Sequence, residues 1–261
     1  MDESVNPYAP PQIGESPDAA KPAFMPRLSR PYQSAHGKTL IVSIATIAVI
    51  VANLILVVSC AMQWSMLVQA QGGGQLDPAT AEANDMRQNI VSGLVTMTAL
   101  CCFVCLLVWI YAVHANLPSL AGQKLEFTSG WAVGWFFVPI ANLVKPYQAI
   151  VEVWKNSDPA PLHGLPAAPT ALIGWWWGLR IGSAVVERVF GFAARESSTI
   201  DSLMIVSCVA IVVTLVVDIP MLLCQLFLVR KVQRMQDDRY ALVSKQNLES
   251  GATVNPWSQF Q

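Results

Sequence analysis

Hydrophobic residues in this chain gather in long runs. Four of them, at about residues 40–66, 88–113, 170–192 and 201–229, are long enough to cross a bilayer as helices, which takes roughly 20 apolar residues. A fifth run, Gly130-Trp-Ala-Val-Gly-Trp-Phe-Phe-Val-Pro-Ile-Ala-Asn-Leu-Val-Lys-Pro-Tyr-Gln148, is apolar enough to enter lipid but carries Pro139, Asn142, Lys145 and Pro146. Each proline removes a backbone donor and strains the turn before it. In lipid the carbonyls so released need partners, so broken backbone survives there only against protein or water. The pattern predicts an all-α integral membrane protein whose fifth run is a broken helix.

Polar segments bound the runs. Residues 1–38 hold prolines at 7, 10, 11, 17, 22, 26 and 31 and few aliphatic side chains, so they are expected to be a disordered or polyproline-like tail. The first apolar run begins near Thr39, too deep for a signal peptide, and reads as a retained membrane helix. Residues 229–246 extend the last run as a charged helix. There Val229, Val232 and Met235 either lie along the inner leaflet with neighbouring bases on lipid phosphates, or belong to a plain solvated helix end. Asn6-Pro7-Tyr8 and Asn255-Pro256-Trp257 are turn-forming peptides in the two tails, through which a protein partner is a candidate.

Charge placement orients the runs. Lys21, Arg27, Arg30 and Lys38 precede the first, and Arg230, Lys231, Arg234, Arg239 and Lys245 follow the last. Loop 67–87 carries Gly72-Gly73-Gly74, Asp77, Glu82 and Asp85, with Arg87 its single base. The positive-inside rule then places both termini in the cytoplasm and 67–87 outside. Termini on one side require an even number of crossings, so segment 130–148 is expected not to cross. The expected fold is four transmembrane helices within 39–232, plus a Pro-broken re-entrant or interfacial helical segment between the second and third. A cytoplasmic helix end and tail follow at 233–261. Loop 118–129, with Lys124, falls inside with Lys145 and Lys155, and loop 193–200, with Arg195 and Glu196, outside. Five spans with opposed termini is the alternative.

Composition agrees with a membrane protein. Of 261 residues, 54% are hydrophobic and 13% charged, about half the charged share of soluble domains. Cys60, Cys101, Cys102, Cys105, Cys208 and Cys224 all lie in apolar runs. Cys101-Cys102-x-x-Cys105 has metal-like spacing without a His, Asp or Glu inside it, and reads as small thiols packed between helices. No metal or cofactor is expected.

From Val108-Trp-Ile-Tyr-Ala-Val-His-Ala-Asn-Leu117 onward the motifs are specific. They include Phe127-Thr-Ser-Gly-Trp-Ala-Val-Gly-Trp-Phe-Phe-Val-Pro-Ile-Ala-Asn-Leu-Val-Lys-Pro-Tyr-Gln148, Glu152-Val-Trp-Lys-Asn-Ser157, Trp175-Trp176-Trp177 and Val232-Gln-Arg-Met-Gln236. Over roughly 88–236 the chain resembles bacterial membrane proteins of domain-of-unknown-function family 4328. The resemblance implies a helical fold in a bacterial inner membrane and no particular chemistry. Val108 stands where the family pattern has an arginine before the tryptophan, which loosens any electrostatic role for that corner.

Candidate functional residues are the polar groups inside the apolar runs. Gly130 and Gly134 permit close backbone approach. Trp131 and Trp135, four apart, share a helix face at headgroup level, and Trp154 and Lys155 anchor the exit. Asn142 is placed to offer its amide to carbonyls released by Pro139 or Pro146, and Lys145 and Tyr147 to reach water or phosphate. These residues either pin a broken helix or form a binding site. Gly174, Gly178 and Gly182 make a small-xxx-small ridge suited to tight helix contact. Arg180 and Glu187 lie seven apart on one face with Ser183 between them, Asp218 precedes Pro220, and Asn53 lies in the first run. Ionisable groups at such depth face the interior or a wet cavity with a partner. Arg180 is therefore expected to pair with Glu187 or Asp218, while Arg188 extends to the interface. The cluster can carry protons, hold an anionic headgroup or fix helix register.

No nucleophile elbow, phosphate loop, zinc motif or paired catalytic carboxylates occur in the loops. His36, His114 and His163 are widely separated, and the bases follow the membrane boundary rather than a nucleic-acid footprint. The expectation is a non-enzymatic membrane module that binds lipid or a protein partner and no nucleic acid. The alternative is a small transporter or channel-like protein with a polar path through Asn142, Lys145, Arg180, Glu187 and Asp218.

Overall fold

The first two apolar runs build helices longer than the runs themselves. In the computed structural model, which describes residues 32–74, 77–120, 125–195 and 199–249, α1 (His36–Gln71) has 36 residues and α2 (Pro78–Ala115) has 38. At 1.5 Å per residue both exceed 50 Å, against a hydrocarbon core of about 30 Å. Much of the expected loop 67–87 is thus helix. α2 opens on Pro78, whose missing N–H costs nothing in a first turn, and Gly73 takes the positive φ of 87° in the turn between the helices.

The remaining helices are α3 (Leu117–Leu120), α4 (Ser129–Gly134), α5 (Lys145–Ser157), α6 (Ala171–Arg195), α7 (Ile200–Val213) and α8 (Ile219–Glu249). Short 3-10 turns lie at Trp135–Phe137, Ala141–Leu143 and Ala160–His163, and a π turn, Thr214–Asp218, makes α7 and α8 one rod. Among the described residues there is no strand. Of the described residues, three helices are long and apolar enough to cross a membrane: His36–Gln71, Pro78–Leu120 and Ile200–Glu249. The 25-residue α6 has the length, but Arg180, Glu187 and Arg188 interrupt its apolar character.

α1 is patterned inside out relative to a soluble helix. It buries Thr39, Ser43, Thr46, Asn53 and Ser59 and exposes Leu40, Ile44, Ile47, Val51, Leu54 and Val58. Water would disfavour that face, whereas acyl chains match it. The largest apolar core lies toward one end of the rods. Trp109, Ile110 and Val113 of α2 meet Ile150 and Val153 of α5, Ile173 and Trp176 of α6, and Leu228 and Val232 of α8.

Segment 130–148 is broken, as its prolines demand. α4 has six residues, and the chain then turns at Pro139–Ala141, where Ala141 N–H donates to the Pro139 carbonyl at 2.7 Å. Ile140 adopts φ 67°, ψ −51° there, a strained γ-turn geometry unusual for a β-branched residue. At 1.5 Å per residue α4 spans only about 9 Å, so no piece of the segment before α5 approaches membrane thickness. Pro146 is buried in the first turn of α5. It starts that helix instead of breaking one.

Three further expectations are corrected. Gly174, Gly178 and Gly182 are exposed, and a Cβ on any of them meets no atom within 4 Å; among the described residues the ridge contacts no other helix. Gly130 is similarly open, whereas a Cβ on Gly134 would lie 3.2 Å from the Trp131 ring, which tilts against Trp135 at 4.8 Å. The thiols are not uniformly packed, since Cys60 and Cys102 are buried but Cys101 and Cys208 are exposed.

The helical unit also extends past both expected ends. Tyr32 stacks on Tyr240 with ring centroids 4.5 Å apart. Val229, Val232 and Met235 are buried in the core instead of lying along a leaflet, and α8 continues to Glu249 with Val243 buried. Asn6-Pro7-Tyr8, Lys124, Glu196 and Asn255-Pro256-Trp257 lie outside the described residues.

Candidate functional site

Pro220 sits inside the rod formed by α7 and α8 and has no N–H to return to the preceding turn. The backbone widens just before it, and Ile219 N–H reaches the Thr214 carbonyl, five residues back, the spacing of a π turn. Asp218 ends that turn facing α6. There Ser183 Oγ lies 2.6 Å from Asp218 Oδ1 and 3.2 Å from Glu187 Oε1.

The three side chains line a cavity of about 260 Å³ together with Asn53 of α1, Cys102 and Phe103 of α2, Arg180 of α6 and Gln225 of α8. Gln225 fastens one wall. Its Nε2 donates to Thr46 Oγ1 at 3.0 Å, and its Oε1 accepts from Trp176 Nε1 at 3.4 Å. The Asn53 amide donates to the Val49 carbonyl of its own helix. Arg180 places its guanidinium over the Phe103 ring, 5.4 Å from the centroid. Among the described residues it makes no hydrogen bond or ion pair. The expected ion pair of Arg180 is therefore corrected. The two acids converge on Ser183, and the cation rests on an aromatic face. Arg188 is exposed.

A second polar assembly fastens the ends of α1, α2, α5 and α8. Trp109 Nε1 donates to Thr39 Oγ1 at 3.1 Å, and that hydroxyl donates to Gln233 Oε1 at 3.2 Å. Gln236 Nε2 donates to the Val113 carbonyl at 2.8 Å and to Ser157 Oγ at 3.1 Å, while its Oε1 accepts from Asn116 Nδ2 at 3.1 Å. His114 is buried with Nε2 3.2 Å from Glu152 Oε2 and Nδ1 3.3 Å from Ser129 Oγ. The carboxylate calls for a hydrogen on Nε2, so in the neutral ring Nδ1 accepts from Ser129. Buried Asp158 accepts from the backbone of Ala160 at 3.0 Å and Ala168 at 2.6 Å. Arg239 ties the Leu120 and Asp158 carbonyls together. Near the start of α1, burial and the Asp237 carboxylate that accepts its hydroxyl push the Tyr32 phenol well above its usual range.

The anticipated polar path does not form. Lys145 reaches Glu126 at 3.9 Å and lies over the Phe127 ring at 5.4 Å. Tyr147 packs half-buried against the core. The Asn142 side chain makes no hydrogen bond among the described residues, and Trp177 takes over its expected task, with Nε1 donating to the Leu143 carbonyl at 2.8 Å. None of these three residues lines the cavity. Sequence reasoning met Gln233 and Gln236 only inside the motif Val232-Gln-Arg-Met-Gln236, without a role, and did not single out Gln225, yet their spacing of eight and three residues places all three on one helix face. That face was the available signal.

A third feature lies on the surface. Trp154, Ala168, Leu172 and Phe227 floor an apolar groove of about 610 Å³ rimmed by Arg230, Lys231 and Arg234. The three bases are exposed and make no hydrogen bond or ion pair among the described residues.

Residues 72–234 match the family described as Domain of unknown function (DUF4328). The match covers more than half of the chain, begins earlier than the resemblance read over 88–236, and shows that the chain belongs to this family. No curated protein and no solved structure matches it.

Proposed function

We propose that this family member is a non-enzymatic, four-span protein of a bacterial inner membrane that binds anionic lipid in the groove between α5, α6 and α8. The observation that carries the reading is the trio Arg230, Lys231 and Arg234, unpaired among the described residues and set on the rim of an apolar floor. A lipid offers what that surface lacks, a phosphate for the bases and an acyl chain for Phe227 and Leu172. Crossing by α1, α2, α6 and the α7–α8 rod accounts for four spans, with the broken α4–α5 segment on the cytoplasmic side. Two polar layers on α1, at Thr39 with Trp109 and Gln233 and at Ser59 with Arg87, support this placement. They are 20 residues apart, or about 30 Å of helix, the thickness of a hydrocarbon core. The polar cavity favours a second reading, transport of a small solute.

Topology is tested with Asn255→Cys and a membrane-impermeant thiol reagent. Inverted vesicles are expected to label and intact cells not, and labelling from outside would support five spans instead. For the lipid, native mass spectrometry of the detergent-purified protein is expected to retain anionic phospholipid. Bases near a membrane surface contribute roughly 1 kcal/mol each, so combined Arg230→Gln, Lys231→Gln and Arg234→Gln should reduce retention about tenfold or more. Equal retention by the triple variant refutes the groove as the binding site.

A further inference from the structure

The cavity holds more ionisable chemistry than fastening helices requires, and lipid binding in the groove leaves it unused. Ser183 Oγ is within hydrogen-bond reach of both Asp218, at 2.6 Å, and Glu187, at 3.2 Å. A hydroxyl carries one hydrogen. It donates to one carboxylate only, and the other acid completes the chain when it brings a hydrogen of its own. The arrangement acid–hydroxyl–acid thus accommodates one proton between two carboxyl groups.

Beside it stands Arg180, which keeps its charge under all ordinary conditions. Its N–H donors meet no acceptor among the described residues; its guanidinium lies over the Phe103 ring at 5.4 Å, and Glu187 acts on it through space without forming an ion pair. A cation at membrane depth whose N–H groups bond to no acceptor is costly, and a carboxylate entering the cavity supplies one. At about 260 Å³ the space is close to the lower end of ligand pockets, suited to an ion or a short carboxylate rather than to a lipid. The titratable groups facing it are Arg180 and Glu187 from α6, Asp218 from the π turn and Cys102 from α2, while Asn53 and Gln225 are the uncharged polar contributions of α1 and α8.

We propose that this cavity binds a small carboxylate at Arg180 together with one proton held by Glu187, Ser183 and Asp218. Loss of the proton leaves two negative charges beside the carboxylate site and expels the ligand. Proton and carboxylate therefore bind cooperatively, each raising the other's affinity by the same factor. The inference does not depend on the lipid groove.

The test uses the full chain in detergent with acetate as the probe, following binding by calorimetry and proton uptake with an indicator dye in weak buffer. Saturable binding with up to one proton taken up per acetate is expected, the affinity falling toward tenfold per pH unit once the pair has lost its proton. Arg180→Gln should abolish acetate binding, and Arg180→Lys, which retains the charge, should keep most of it, separating ligand contact from folding. Glu187→Gln makes one member permanently neutral and should bind acetate with proton uptake largely lost. Absence of binding by the native chain, binding without proton uptake, or undiminished binding by a folded Arg180→Gln protein would each overturn the proposal.

Discussion

Gln236→Leu is expected to lower folding stability by about 3 kcal/mol, since leaving a buried hydrogen-bonding group unmatched costs roughly 1–3 kcal/mol. Gln236 is fully buried and holds three partners from two segments: the Val113 carbonyl and the Asn116 amide at the end of α2, and Ser157 Oγ of α5. Leucine fills similar volume, so the loss reports hydrogen bonding instead of a cavity. Gln236→Glu should also destabilise, because it turns acceptor oxygens toward the Val113 carbonyl. Thermal unfolding in detergent measures both, and melting profiles unchanged from the native chain would mean that this layer does not hold the helix ends together.

Glu152→Ala should cost a comparable amount, about 3 kcal/mol, since hydrogen bonds to a charged acceptor exceed neutral ones. One carboxylate serves His114 Nε2 at 3.2 Å and the backbone N–H groups of Phe127 at 3.3 Å and Glu126. Removing it leaves a buried imidazole N–H unanswered and frees the chain that leads into α4. Limited proteolysis should therefore begin to cut near residues 125–128, which a global loss of stability alone would not single out. Glu152→Gln retains one acceptor oxygen and should show a smaller loss and slower cutting. Resistance of the alanine variant at that segment would show that the loop is held by something else.

Much of the helical layout was legible in the chain because it rests on local chemistry. A run of some 20 apolar residues has few alternatives to a helix when water is scarce, so α1, α2 and the α7–α8 rod follow from runs 40–66, 88–113 and 201–229. Pro139 and Pro146 foretold a break because a missing N–H and a rigid ring act within one turn. Even so, Pro146 opens α5. A proline's effect depends on whether a helix precedes or follows it, and tertiary packing of Ala149, Ile150 and Val153 decided for the helix that follows.

The candidate site was legible in its members and not in its pairing. Arg180, Ser183, Glu187 and Asp218 do meet at one cavity, as their shared helix face and their depth suggested. Spacing along one helix says nothing about the rotation of the next, however. The π turn before Pro220 adds a residue to one turn of the rod and changes the direction in which Asp218 and everything after it face. That single change is compatible with acids gathered on Ser183, and Phe103 of a different helix supplied the surface on which Arg180 rests. The glycines at 174, 178 and 182 show the same limit. Their periodicity made a smooth stripe certain, but whether a stripe meets a helix or opens outward is a property of the assembled bundle, and here it opens outward. By itself, then, the sequence determined where backbone is helical, where it breaks and which polar groups lie at depth, because hydrophobic runs and proline act locally. Only the tertiary structure decided which of those groups bond to one another, because partners tens of residues apart are chosen by how helices rotate and pack.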